Sequence, residues 1–172
     1  PFAMYHVDPD HKEREFLTLD ELTAMTEIKL EDPNMAFARD LFVFGCWTGI
    51  SFIDTKNLTE DKISMINGAP WIVSKRQKTG VPFQVKLMDI PMRIVERYKP
   101  LRKDCHLFNI GRLDTINKRI KKVAAMCGIK KRISYHVSRH TFAVLSLEYG
   151  MPIETVSKIL GHTNITTTQI YE

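Results

Sequence analysis

The segment from Asn34 to Thr48 constrains this chain most. Phe37, Leu41, Phe44 and Trp47 recur there at helical spacing, Asn34 offers an N-terminal cap, and Gly49 lets the chain turn out at the far end. A helix this apolar has to be covered by other elements, so the remaining residues must pack around it as its shell. Its longest apolar stretch, Leu41 to Phe44 and on past Gly45 to Trp47, is far short of the roughly 20 residues that span a bilayer. A core helix, not a membrane helix, is the expectation.

Helical signals recur on both sides of it. Thr18-Leu19-Asp20-Glu21 is a capping box that opens a helix running to about Lys29. After Pro91 the pattern is helical to about Arg102, and again from Leu113 to Cys127, where Ile116, Ile120, Val123 and Cys127 share a face before Gly128. Tyr135 to Tyr149 ends at Gly150, Pro152 begins a helix ending at Gly161, and Asn164 caps a short final helix bearing Tyr171. Between Ile63 and Leu87 the pattern changes. Trp71-Ile72-Val73, Gln77-Lys78-Thr79-Gly80 and Val81 to Val85 read as strand, turn, strand. The fold class is therefore mainly α with a small antiparallel β-sheet (α+β), in one domain, as 44% hydrophobic and 26% charged residues would suit.

The opening Pro1 to His6 has neither the basic nor the apolar stretch of a secretory leader and does not begin with Met, which suggests a piece of a longer protein. Cys46, Cys105 and Cys127 are too far apart for a metal-ligand pair and odd in number, which fits a reducing, cytoplasmic setting. Charge is unevenly spread. Arg93 to Arg139 holds 14 Lys or Arg against three acids, Glu96, Asp104 and Asp114, although the whole chain is only +5. Such a block points to a polyanion, with DNA or RNA ahead of a membrane surface; alternatively it is the solvated face of a helix.

Two short stretches could carry chemistry. In His136-Val137-Ser138-Arg139-His140 the two histidines and the arginine lie one helical turn apart. A zinc protease needs Glu directly after the first His, and Val137 stands there, so an anion suits this cluster better than a metal. The second stretch is Leu160-Gly161-His162, followed nine residues later by Tyr171. A phenol is a weak nucleophile near neutral pH unless cations lower its pKa or a base takes its proton. By itself a tyrosine in that place is more often packing.

Taken together, His136-x-x-Arg139, Leu160-Gly161-His162 and Thr166-Thr167-Thr168-Gln169-Ile170-Tyr171, in this order within 36 residues, resemble the catalytic domain of tyrosine recombinases, the phage and mobile-element integrase family. Phe16 to Leu22 looks like that family's opening helix, and Lys75-Arg76-Gln77-Lys78-Thr79-Gly80 resembles the hairpin carrying its lysine. The resemblance implies a catalytic domain over 16–172 with residues 1–15 a linker remnant, the core-binding and arm-binding domains and the C-terminal tail lying outside this sequence. It implies Tyr171 as nucleophile on a scissile phosphodiester and Lys78 as general acid for the leaving 5′ oxygen. Arg139 would then stabilise the transition state, with His136 assisting proton transfer and His162 donating to a phosphate oxygen. It further implies no metal or other cofactor and no ATP, double-stranded DNA as substrate, four copies on two duplexes in the full protein, and DNA-bending accessory proteins.

One position departs from the family pattern. Thr48-Gly49-Ile50-Ser51 stands where the family has Thr-Gly-Leu-Arg, and a serine cannot replace a guanidinium. Such departures are found among integrases similar to those of conjugative transposons. Arg76 is the candidate substitute, because two residues along a strand from Lys78 it would face the same way; the alternative is a hairpin arginine touching DNA backbone. Two other functions stay open at this level. Pro152 to Leu160, its turn and the helix near Asn164 also resemble the helix-turn-helix of a non-enzymatic regulator, and Ser51 alone suggests a catalytically inactive relative.

Overall fold

The computed structural model describes residues 15–171, so residues 1–14 of the expected linker remnant lie outside the described residues. Thr18 closes the capping box read from the sequence: its hydroxyl accepts from the Glu21 N–H at 3.2 Å, and Glu21 Oε1 accepts from the Thr18 N–H at 3.0 Å. The chain then runs α1 (Leu19–Glu27), α2 (Pro33–Thr48), α3 (Phe52–Lys56), β1 (Ile63–Ile66), β2 (Ala69–Lys75), β3 (Pro82–Lys86), α4 (Asp89–Tyr98), α5 (Leu113–Met126), α6 (Tyr135–Glu148), α7 (Ile153–Leu160) and α8 (Thr166–Gln169). The strands form one antiparallel sheet in chain order, with Trp71 opposite Lys86 and Ile72 opposite both Ile63 and Val85. The mainly helical class with a small sheet is what the periodicity predicted. Among the described residues no helix is long and apolar enough to cross a membrane.

Helix α2 is the core element, with two differences from the sequence reading. Its cap is Asp32, not Asn34: the Asp32 carboxylate accepts from the Asn34 N–H at 2.8 Å, and Pro33 fills the first helical position, where a missing N–H costs nothing. Nor is it buried along a single stripe. Every residue from Ala38 to Cys46 is buried, because α1, α4, α5 and α6 pack around it on all sides. Phe37 and Trp47, near its ends, are only partly buried. The sequence reading also passed over α3, and over β1, which joins β2 through Asn67 and Gly68 at φ 51° and 78°. Asn-Gly in that conformation is a strong hairpin signal.

Buried charges tie the helices together. Arg39 donates to the carbonyls of Met25, Thr26 and Ile28, which finish α1, and its Nε pairs with Asp40 Oδ1 at 2.7 Å. Asp40 Oδ2 accepts from Arg97 at 2.8 Å and from the Tyr98 hydroxyl at 2.5 Å. One carboxylate thus anchors α4 to α2, and burial followed by the Asp40 charge pushes the Tyr98 phenol well above its ordinary range.

Two glycines set how closely α2 can approach α6. A Cβ at Gly45 would overlap Ser138 Oγ, and Gly49, at φ 72°, ends α2 with the Phe142 ring only 2.5 Å from where its Cβ would sit. Gly49→Ala is therefore expected to lower stability by about 2–4 kcal/mol, from left-handed backbone strain plus overpacking. The check is the urea midpoint at unchanged m-value; a variant as stable as the parent would mean that α6 can move away freely.

Candidate active site

Four pieces of chain meet at α6: the α2–α3 junction, the β2–β3 turn, the end of α7 and the turn after α8. Helix α6 is fixed in place at its start. Its first N–H, from Tyr135, is accepted by Asn117 Oδ1 of α5 at 2.8 Å, and the buried Tyr135 hydroxyl lies 3.0 Å from Thr55 Oγ1 of α3. Arg139, 6% exposed, then reaches across the molecule, donating to Gly49 O at 2.7 Å and Leu160 O at 2.6 Å. Both carbonyls end helices, where the negative pole of the helix dipole suits a guanidinium. Two of its five N–H donors are spent on them, and its Nη2 also comes within 3.5 Å of His162 Nε2.

Arg76 enters the same cluster. Its stem packs across Gly161, whose Cβ would fall 2.7 Å from Arg76 Cδ, so a residue with no side chain is what gives Arg76 its path. Its buried Nε stands 3.7 Å from Asp54 Oδ2. The reason given for Arg76 from the sequence does not hold, because β2 ends at Lys75 and the side chains of Arg76 and Lys78 are not related by strand alternation. Instead Arg76 closes the turn: its N–H donates to Val81 O at 2.9 Å and its carbonyl accepts from Gly80 at 2.7 Å. It lies inside the cluster, while Lys78 is exposed at the tip of that turn.

Burial first, and then the positive charge of Arg76, bring the Arg139 pKa down to about 10, with Tyr171 and Asp54 acting in the other direction. Arg139 therefore stays charged at neutral pH. Two guanidiniums share the space with one carboxylate, which leaves a net positive cluster that an anion would neutralise. Ser51, at the position where the resemblance implies an arginine, serves α3, capping it and donating to Asp54 Oδ2 at 2.7 Å.

His162 and Tyr171 are brought together by Thr168. The Thr168 hydroxyl, fully buried, lies 2.6 Å from His162 Nδ1, and its carbonyl accepts from the Tyr171 N–H at 3.0 Å. Tyr171 is not on the last helix, as expected from the sequence, but in the turn just beyond it. Asn164 does help to start that helix, accepting from the Thr166 N–H at 3.0 Å. The Tyr171 ring packs on a small apolar cluster of Phe142, Ala143, Val156 and Leu160, 5.5 Å from the His140 ring. His136, exposed one turn earlier, stacks edge-on against His140 at 4.5 Å.

Residues that sequence reasoning missed are Asp54, Thr168 and the position of His140. Ser51-x-x-Asp54 is a visible helix-start signal, but nothing local shows that Asp54 also accepts from the Gln77 N–H at 2.9 Å, 23 residues away.

Residues 15–172 match the family model described as the phage integrase family. The chain belongs to that family. Among its relatives, the tyrosine recombinase XerC of Serratia marcescens is 27% identical over 162 residues, covering 90% of this chain and 54% of that protein. The structure of XerH site-specific recombinase bound to a palindromic difH substrate is similar at TM-score 0.78 and 20% identity, over 92% of this chain and 49% of that one. Tn1549 transposon integrase in complex with a circular intermediate DNA is similar at TM-score 0.77 and 17% identity, over 96% and 63%. These likenesses show the integrase fold. The chain spans about half the length of relatives such as the XerC proteins, which it matches over 90% of its own length.

Proposed function

We propose that this phage integrase family chain is the part of a site-specific recombinase that cleaves and rejoins double-stranded DNA through a 3′-phosphotyrosyl intermediate on Tyr171, in the integration or excision of a mobile element. The observation that supports this reading most is that Tyr171, joined through Thr168 to His162, lies close enough to Arg139 for its charge to act on that guanidinium, in the cluster that also holds Arg76. A phenol beside paired guanidiniums suits attack on a phosphodiester, whose transition state gathers negative charge on its oxygens. Relatives bearing the name tyrosine recombinase, and neighbours solved with DNA, support it.

In this mechanism the Tyr171 oxygen attacks phosphorus while its proton passes to His136. The bond from phosphorus to the 5′ oxygen breaks, and that oxygen takes a proton from Lys78. Arg139, Arg76 and His162 hold the non-bridging oxygens. Attack by the 5′-hydroxyl of another strand reverses each step, so the energy of the broken bond is kept in the phosphotyrosine. The exposed position of Lys78 on the turn means that DNA must draw it inward. The whole protein works as four copies on two duplexes, with DNA-bending partners, in the cytoplasm.

The regulator reading is not favoured. The segment after the α7 turn is a helix of four residues with Thr168 fully buried, too short to present a recognition surface to a major groove.

The test is a denaturing gel with DNA nicked near the scissile phosphate. A retarded band that maps to the Tyr171 peptide by mass spectrometry is expected; DNA binding with no covalent band would overturn the reading. Binding itself is expected to be strongly salt-dependent. Lys118, Lys121 and Lys122 are exposed on α5, which Asn117 joins to the start of α6. Changing all three to Ala should flatten the plot of log affinity against log salt by about 3, since each phosphate contact contributes a slope near 0.9. An unchanged slope would place the DNA on another face.

A further inference from the structure

Two aromatic rings pack against His140. The His136 ring meets it edge-on at 4.5 Å and the Tyr171 ring lies 5.5 Å away, tilted by 47°. His140 itself is only 8% exposed and belongs to a 14-residue helix whose neighbours on either side, Arg139 and Thr141, are buried. Tyr171, in contrast, follows a helix of four residues and is tied back to it by one backbone hydrogen bond, to Thr168. A single turn of helix has little stability of its own. The lateral position of the phenol is therefore set by what its ring rests against.

We propose that His140 is a positioning residue for Tyr171: a wall on the rigid α6 that fixes where the phenol stands relative to Arg139. This rests on the reading of Tyr171 as nucleophile. The Tyr171 ring also packs on the small apolar cluster of Phe142, Ala143, Val156 and Leu160, and such dispersion contacts are non-directional and tolerant of sliding. A flat ring on a buried helix is not. His136, one turn earlier on the same helix, packs edge-on against the His140 ring and helps to hold it. Displacing a reacting atom by about 1 Å costs on the order of 100-fold in rate, so the effect of losing the wall falls on cleavage and not on affinity for DNA.

The experiment uses the 172-residue chain labelled with 3-fluorotyrosine, the residue-171 fluorine resonance being assigned by its loss in Tyr171→Phe. In His140→Ala that resonance is expected to move by more than its linewidth, because a neighbouring ring current is gone. His140→Leu, which keeps bulk without a ring, should move it as well and serves if the alanine variant does not fold. In His140→Phe it should stay near its original place. On nicked DNA, single-turnover cleavage should slow by about 10- to 100-fold in the alanine and leucine variants at unchanged DNA affinity, and the phenylalanine variant should recover most of that rate. An unmoved resonance in both His140→Ala and His140→Leu would overturn the proposal, as would a phenylalanine variant as slow as the alanine one. If the parent chain forms no covalent product, the nucleophile reading falls, and the resonance still decides whether His140 places the ring.

Discussion

Tyr171→Phe is expected to remove the covalent protein–DNA product while DNA affinity stays where it was. The change deletes one oxygen from a ring that is otherwise kept, so the packing on Phe142, Val156 and Leu160 persists and the turn after α8 keeps its bond to Thr168. What disappears is the only atom of that side chain able to attack phosphorus. Loss of a nucleophile acting with its partners costs at least about 10,000-fold, the residue being attack by water. Nicked DNA incubated with wild type and variant, run under denaturing conditions, makes the comparison; a covalent band of equal intensity from the variant would show that another side chain carries the reaction. Equal retardation of both proteins on a native gel excludes a simple loss of binding.

Arg76→Ala is expected to slow cleavage by about 100- to 1,000-fold, close to the effect of Arg139→Ala, since each removes a positioned charge-assisted donor from the same cluster. Arg76 shares Asp54 with Ser51 and lies near enough to Arg139 to depress its pKa. The proposed reading has it take the electrostatic place of the arginine that the resemblance implies at position 51. Adding Ser51→Arg to the Arg76→Ala variant should therefore recover part of the rate, at a cost of about 1 kcal/mol in stability for the lost cap on α3. Single-turnover rates of the four proteins decide it. A normal rate in Arg76→Ala would reduce Arg76 to a backbone contact on the hairpin, and failure of the second arginine to help would show that position 51 cannot reach the phosphate.

Stability data belong beside these rates. Arg76 fills the space above Gly161, so Arg76→Ala also opens a void there. A urea midpoint within error of the parent, with a rate down 100-fold, separates the charge effect from the packing effect. Arg139→Ala will not pass that check as easily, because its guanidinium joins the ends of α2 and α7 and its removal leaves two buried carbonyls without their donor.

The sequence by itself determined a good deal. The capping box at Thr18, the helix ends at Gly49, Gly128 and Gly161, and the strand–turn–strand of the hairpin are local signals, written in contacts between residues a few positions apart. Those local rules also placed His136 and Arg139 one turn apart, because helical period alone does that. Tertiary structure decided the rest. Only folding shows that Asp54 receives Ser51, Gln77 and Arg76 together, that Arg76 runs over Gly161, and that Thr168 joins His162 to the Tyr171 turn. The burial of α2 on every side, and not along one stripe, depends on how many helices surround it. The physical reason is one of range: caps, turns and periodicity act over three or four residues, whereas a cationic cluster is made by segments brought together from about 20 to 90 residues apart when the core packs.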